Sequence, residues 1–192
     1  MARHTRSLAL FLFLVLALGS GACASPKAEP AAAATEPRRP FSGAATPGGV
    51  LARLEAAVAA RDSRDYAECL ADTFRFVPHL AVVAAYPAIP WHGWGRALEA
   101  GFARWLCHPA HGATLSLVAG VLERGSQAGG HSWWEVVYAI DTRGDRFGGR
   151  ATLGLVERNQ SWYLESWEDT GPAPDATALE PTSGEARALS TR

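Results

Sequence analysis

Side chains able to move a proton are sparse in the apolar middle of this chain. The segment His131-Ser132-Trp133-Trp134-Glu135-Val136-Val137-Tyr138-Ala139-Ile140-Asp141 carries Glu135, Tyr138 and Asp141. In a strand alternate residues share a face, which sets Trp134, Val136, Tyr138 and Ile140 on one side and His131, Trp133, Glu135, Val137 and Asp141 on the other. The first side is apolar enough to line a core, with Tyr138 its polar handle, so Tyr138 is expected as a packed tyrosine. Glu135 then belongs to an exposed or interface face; only the inverse assignment turns it inward as a general base. His79, just after Phe74 and Phe76, completes the set. The catalytic candidates are therefore His79, Glu135, Tyr138 and Asp141, an acid/base set without a marked nucleophile.

His108-Pro109-Ala110-His111 places two imidazoles close in sequence, but no third or fourth ligand follows at a recognisable spacing. No metal and no cofactor is expected. Cys69 falls on an apolar helical face and reads as a small buried hydrophobe. Whether it bonds Cys107 is left open by the sequence, because a bridge depends on Cβ separation. Neither cysteine has a neighbouring histidine that would mark it as a nucleophile.

The elements that must position these groups follow from periodicity. Val50, Leu51, Leu54, Val58, then Tyr66, Cys69 and Leu70 recur at helical steps, giving two amphipathic pieces divided at Arg61-Asp62-Ser63, with Asp62 or Ser63 able to cap the second. Thr73 to Val77 reads as a short strand ending at Pro78. Residues 79–95 read as a Pro- and Gly-broken loop, with Trp91 and Trp94 clamping it by aromatic packing. The apolar run Leu80 to Tyr86 within that loop requires a cover. Leu98, Phe102, Trp105 and Leu106 mark a third helix ending before Pro109. From Ala113 the pattern turns to β, with strands at Ala113–Arg124, His131–Asp141, Arg146–Arg158 and Ser161–Asp169 separated by Gly-rich or Asn/Asp turns. Helices first and a meander afterwards predict an α+β domain: N-terminal helices packed in the concave face of a curved antiparallel sheet. The formal charge of −1 and the scattered arginines argue against a nucleic-acid partner.

This order resembles the nuclear transport factor 2-like superfamily, and its SnoaL-like bacterial members in particular. The resemblance spans residues 50–169. It is carried by Ala59-Ala60-Arg61-Asp62-Ser63-Arg64-Asp65-Tyr66-Ala67-Glu68-Cys69-Leu70-Ala71-Asp72-Thr73-Phe74, by Trp94-Gly95-Arg96-Ala97-Leu98, and by Ser161-Trp162-Tyr163-Leu164-Glu165-Ser166-Trp167. It implies a cone-shaped, cystatin-like roll around an apolar pocket, and a homodimer through the outer face of the sheet. The ketosteroid-isomerase branch places its proton-moving groups where this chain has Leu54, Pro78 and Leu153 to Leu155, which carry none. The resemblance also makes His79 a pocket-mouth residue.

At the amino end, Arg3, His4 and Arg6 precede the apolar run Leu8 to Leu18, too short to span a bilayer, which takes about 20 apolar residues. Residues 1–23 read as an export signal. Ser20-Gly21-Ala22-Cys23 resembles a bacterial lipoprotein signal, with Cys23 lipidated, whereas Ala22-Cys23-Ala24 also suits the ordinary signal peptidase with cleavage before Ser25. The lipoprotein reading is preferred, because Cys23 is otherwise a free thiol in an oxidising compartment. Residues 24–49, rich in Pro, Ala and Gly, read as a disordered linker, and residues 170–192 as a disordered tail. The expected location is a bacterial membrane surface through the lipid, otherwise the periplasm or medium. The expected role is a noncatalytic module that binds a small apolar ligand or another protein; the alternative is a SnoaL-like isomerase, cyclase or lyase. A third reading is a dimeric scaffold whose interior is filled by its own side chains. Fold does not choose among them.

Overall fold

The structure is a computed structural model that describes residues 43–123, 130–172 and 181–191. The signal residues, Cys23 and the linker as far as residue 42 lie outside the described residues.

Helix α1 (Pro47–Ala60) starts where Thr46 Oγ1 accepts from Gly49 N at 3.1 Å and Pro47 supplies a preset φ. It stops at Arg61, in the left-handed region at φ 59°. Asp62 at once caps α2 (Ser63–Glu68), its Oδ1 accepting from Arg64 N and Asp65 N. Strand β1 (Leu70–Val77) follows, longer at its start than the aromatic pattern suggests. Residues 80–85, expected as loop, form a short helix α3 (Leu80–Ala85), with His79 Nδ1 accepting from Ala81 N at 3.4 Å. A 3-10 turn at Trp91–Gly93 leads to α4 (Arg96–Cys107).

Four strands complete the sheet: β2 (Thr114–Glu123), β3 (His131–Asp141), β4 (Arg146–Arg158) and β5 (Ser161–Gly171). The β4–β5 turn is a two-residue turn, with Asn159 and Gln160 both at positive φ, which matches strand twist. The order β1-β5-β4-β3-β2 makes β2 to β5 the antiparallel meander. One correction concerns β1: it joins β5 in parallel, Phe76 beside Trp167, so the curved sheet is mixed rather than wholly antiparallel. A parallel neighbour needs a long crossover, and the chain from α3 through the meander of β2, β3 and β4 supplies it.

A bulge on β5 sets what faces inward. Leu155 pairs with Leu164 and Leu153 with Trp167, so two steps on β4 oppose three on β5. Leu164 and Trp167 are both buried, and Asp169 follows Trp167 inside. On β3 the inward residues are Val136, Tyr138 and Ile140. The outer face carries Trp133 and, on β2, Val118.

The second correction concerns the carboxyl end. Residues 181–191, expected within a disordered tail, hold α5 (Ser183–Ser190), with Ser183, Gly184, Ala186, Arg187 and Ala188 buried. The helix enters through small residues: a Cβ added to Gly184 would stand 3.0 Å from Val82 Cγ1 and 3.3 Å from Pro78 Cβ. Its start is tied to the sheet where Gly148 N donates to Pro181 O at 2.8 Å.

Candidate functional site

Trp94 and Glu99 are placed by the free edge of β1. Phe76 N donates to Trp94 O at 2.9 Å, and Arg75 bridges Gly95, which protects that edge and fixes where α4 begins. One turn later Glu99 shares the buried side of α4 with Phe102, Ala103 and Leu106. Trp91 and Trp94 stack at 5.4 Å and meet Phe76 edge-on, so the loop is clamped to the body by aromatic packing.

Inside the cone Glu99 meets Arg187, and neither side chain is open to solvent. Glu99 Oε1 accepts from Arg187 Nη2 at 2.6 Å and from Tyr66 Oη at 3.0 Å; Oε2 accepts from Arg187 Nε at 2.9 Å and from Trp94 Nε1 at 2.8 Å. A carboxylate offers about four acceptor positions, and these are all taken. The guanidinium carbon lies 3.9 Å from the Phe76 ring centre, 4.5 Å from Phe102 and 5.1 Å from Trp167. Fork and carboxylate, with ring faces around them, form a charge-assisted bidentate pair.

A second buried carboxylate holds the start of α5. Asp169 Oδ1 accepts from Trp167 Nε1 at 3.0 Å and from Ser183 Oγ at 2.7 Å, while Oδ2 accepts from Gly184 N at 3.0 Å. Ser183 N donates to Tyr138 Oη at 2.8 Å. Tyr138 needs Gly149 opposite it, where a Cβ would lie 2.6 Å from the phenol oxygen.

Electrostatics fix these groups in resting states. Burial opposes the charge on Arg187, but Glu99, with Tyr66 and Asp169, favours it and the guanidinium is held more firmly protonated than usual. Burial, reinforced by Glu99, pushes the Tyr66 phenol well up; burial, reinforced by Asp169, does the same for Tyr138. Burial also raises Asp169, against the opposing pull of Arg187 and of the bonds from Ser183, Trp167 and Gly184. Both phenols are thus held protonated and are weaker acids than a free tyrosine.

The four sequence-derived candidates do not come together. Tyr138 is inside. His79 caps α3 and is half-buried, Glu135 lies on the outer side of the sheet beside Trp133 and Thr152, and Asp141 is exposed and paired with Arg146. Leu54, Leu153 and Leu155 are buried, as is Pro78. His108 Nδ1 accepts from Ala110 N at 3.3 Å, and His111 packs on the Trp105 ring at 4.5 Å. Among the described residues no group of three or more His, Cys, Asp or Glu side chains gathers. Cys69 and Cys107 are free thiols, burial pushing them up to about 12 and about 11. Below α3 a groove of about 710 Å³ is lined by Val77, Leu80, Val83, Ile89 and Trp91.

Glu99, Asp169 and Arg187 are the groups that reading the sequence missed, Arg187 because it falls in the segment expected as a tail. For Glu99 a signal exists, since it stands at the helical spacing of Phe102, Ala103 and Leu106. For Asp169 the bulge hides it, because unbroken alternation from Leu164 would send it outward.

No family model matches the sequence, and no curated protein matches it. Solved structures of similar fold include a protein from Thiobacillus denitrificans named as a calcium/calmodulin-dependent protein kinase type II association domain, at 20% identity and a TM-score of 0.49, covering 70% of this chain and 99% of that one. A domain of unknown function with a cystatin-like fold from Nostoc punctiforme superposes at a TM-score of 0.48 and 13% identity, covering 66% and 75%. A nuclear transport factor 2-like protein of unknown function from Shewanella oneidensis does so at 0.42 and 10%, covering 63% and 93%. At these levels the likeness says nothing of activity.

Proposed function

We propose that this chain is an exported module of nuclear transport factor 2-like type that acts by binding, without catalysis, and that lipid on Cys23 holds it at the cell envelope. The observation that carries the reading is the Glu99–Arg187 pair, which is closed to solvent among Phe76, Phe102 and Trp167 and leaves the carboxylate no free acceptor position. Support also comes from the scatter of His79, Glu135 and Asp141, and from the engagement of the interior Tyr66, Tyr138, Glu99 and Asp169 with partners of the chain's own. Small apolar ligands then find the groove below α3 rather than the cone, and protein partners find the outer face of the sheet.

Sedimentation of the folded region at rising concentration tests the second of these. A dimer that Val118→Glu dissociates into monomers with the wild-type circular dichroism spectrum is expected, since Val118 is 63% exposed beside Val137. A monomer at every concentration, or a dimer indifferent to Val118→Glu, removes the sheet face from the reading.

A further inference from the structure

We propose that the interior of the cone is a recognition site for a guanidinium group, and that Arg187 is its resident ligand, supplied by the chain itself. The inference rests on the binding reading above in one respect, that the interior is a place of capture and not of turnover.

The recognising groups come from outside α5 save one, Ser183 O, which accepts from Arg187 Nη1 at 3.3 Å. Glu99 on α4 presents both oxygens to the fork, Phe76 on β1, Phe102 on α4 and Trp167 on β5 present ring faces, and Tyr66 and Trp94 hold Glu99 from behind. These positions are fixed by the strands and helices of the body, so the cage stands assembled without its occupant. Its chemistry is selective: two in-plane acceptors and flanking π faces fit a planar, delocalised cation, whereas an ammonium gives a point charge and no plane to stack. Neutral analogues of the same shape leave Glu99 buried and uncompensated.

The occupant is tied at its start to Tyr138 and Asp169 and packs Leu189 on the core, but to the cage itself it brings the guanidinium. Helix α5 has eight residues, too few to hold a helix alone, and the rest of its buried side is Ser183, Gly184, Ala186 and Ala188. Arg187 is the one long side chain it sends to the cage. Supply in cis gives that arginine an effective concentration of about millimolar or above. An external alkylguanidine, or an arginine side chain on a peptide, therefore gains the cage when α5 withdraws, and α5 acts as an internal competitor for it.

Chemical rescue tests this. Arg187→Ala in the full chain removes what N-ethylguanidinium replaces atom for atom beyond Cβ. The expected result is a saturable rise in melting temperature of Arg187→Ala with N-ethylguanidinium at low millimolar levels. The same additive should leave the wild type and the Arg187→Ala/Glu99→Gln variant unmoved. N-ethylurea should give no rescue, and ethylammonium should half-saturate at about tenfold higher concentration, the size of one charge-assisted hydrogen bond. If Arg187→Ala is recovered unfolded, its refolding yield with each additive is read in the same way. No rescue in either format, or equal rescue by N-ethylurea, overturns the site. That failure would leave the sheet-face reading standing, because Val118→Glu decides it separately.

Discussion

Glu99 takes four donors in a space closed to water, and their origins decide what its removal costs. Glu99→Gln strips the counter-charge from a buried guanidinium, a change that typically costs about 3–5 kcal/mol. Replacing both partners with apolar side chains removes the charge problem, and buried pairs elsewhere have been exchanged in this way at little cost. Here the exchange is incomplete, because Tyr66 and Trp94 lose their acceptor, at about 1–3 kcal/mol for each orphaned donor. We expect Glu99→Leu/Arg187→Met to be more stable than Glu99→Gln in urea denaturation yet less stable than wild type. A double variant equal to wild type would mean that neither donor depends on Glu99. Half of this pair could be read beforehand: an acid among Phe102, Ala103 and Leu106 at helical spacing is a buried acid awaiting a partner. The partner lies 88 positions away in a segment of Gly, Ala and Ser, and no spacing rule connects them.

At the scale of elements, strands and helices with a strong period were legible and the weak ones were not. The pattern Val136, Tyr138, Ile140 placed the inner face of β3 correctly, and Asn159-Gln160 marked a turn that both residues make at positive φ. Helix α3 was hidden by its neighbours Pro78, Pro87 and Pro90. Helix α5 was hidden by its own composition, since it buries small residues and one arginine where an apolar stripe would be expected. Its attachment is consequently polar, and that makes it sensitive to pH. Asp169, which receives Ser183 Oγ and Gly184 N, has its carboxyl raised by burial above the ordinary 3.8. The folded protein therefore binds this proton more readily than the unfolded chain does. The resulting stabilisation is complete below the ordinary value and is lost as pH rises through the folded one. We expect the stability advantage of wild type over Asp169→Asn to shrink as pH climbs out of the carboxylate range. Denaturation midpoints of the two proteins across that range check it, and an advantage that grows with pH would reverse the sign assigned to Asp169.

For the molecule as a whole, an interior carboxylate whose acceptor positions are all taken by the chain's own donors moves the question of function outward, to where the domain is held and what its surfaces meet. The amino-terminal residues allow two mature forms that differ in kind. Cleavage before Cys23 yields a lipidated protein, whereas cleavage before Ser25 yields one without the cysteine. Stable anchoring takes more than a single acyl chain, and a diacylated cysteine meets that need. Expressed in a bacterium that processes lipoproteins, the wild type is expected to incorporate labelled palmitate and to sediment with membranes. Its amino-terminal peptide should begin at a modified Cys23, and Cys23→Ser should lose label and membrane association while retaining the wild-type melting temperature. A mature chain beginning at Ser25, unlabelled and free of the membrane, would reject the anchor. It would leave an exported domain whose two remaining cysteines, both buried thiols, need no partner to survive an oxidising compartment.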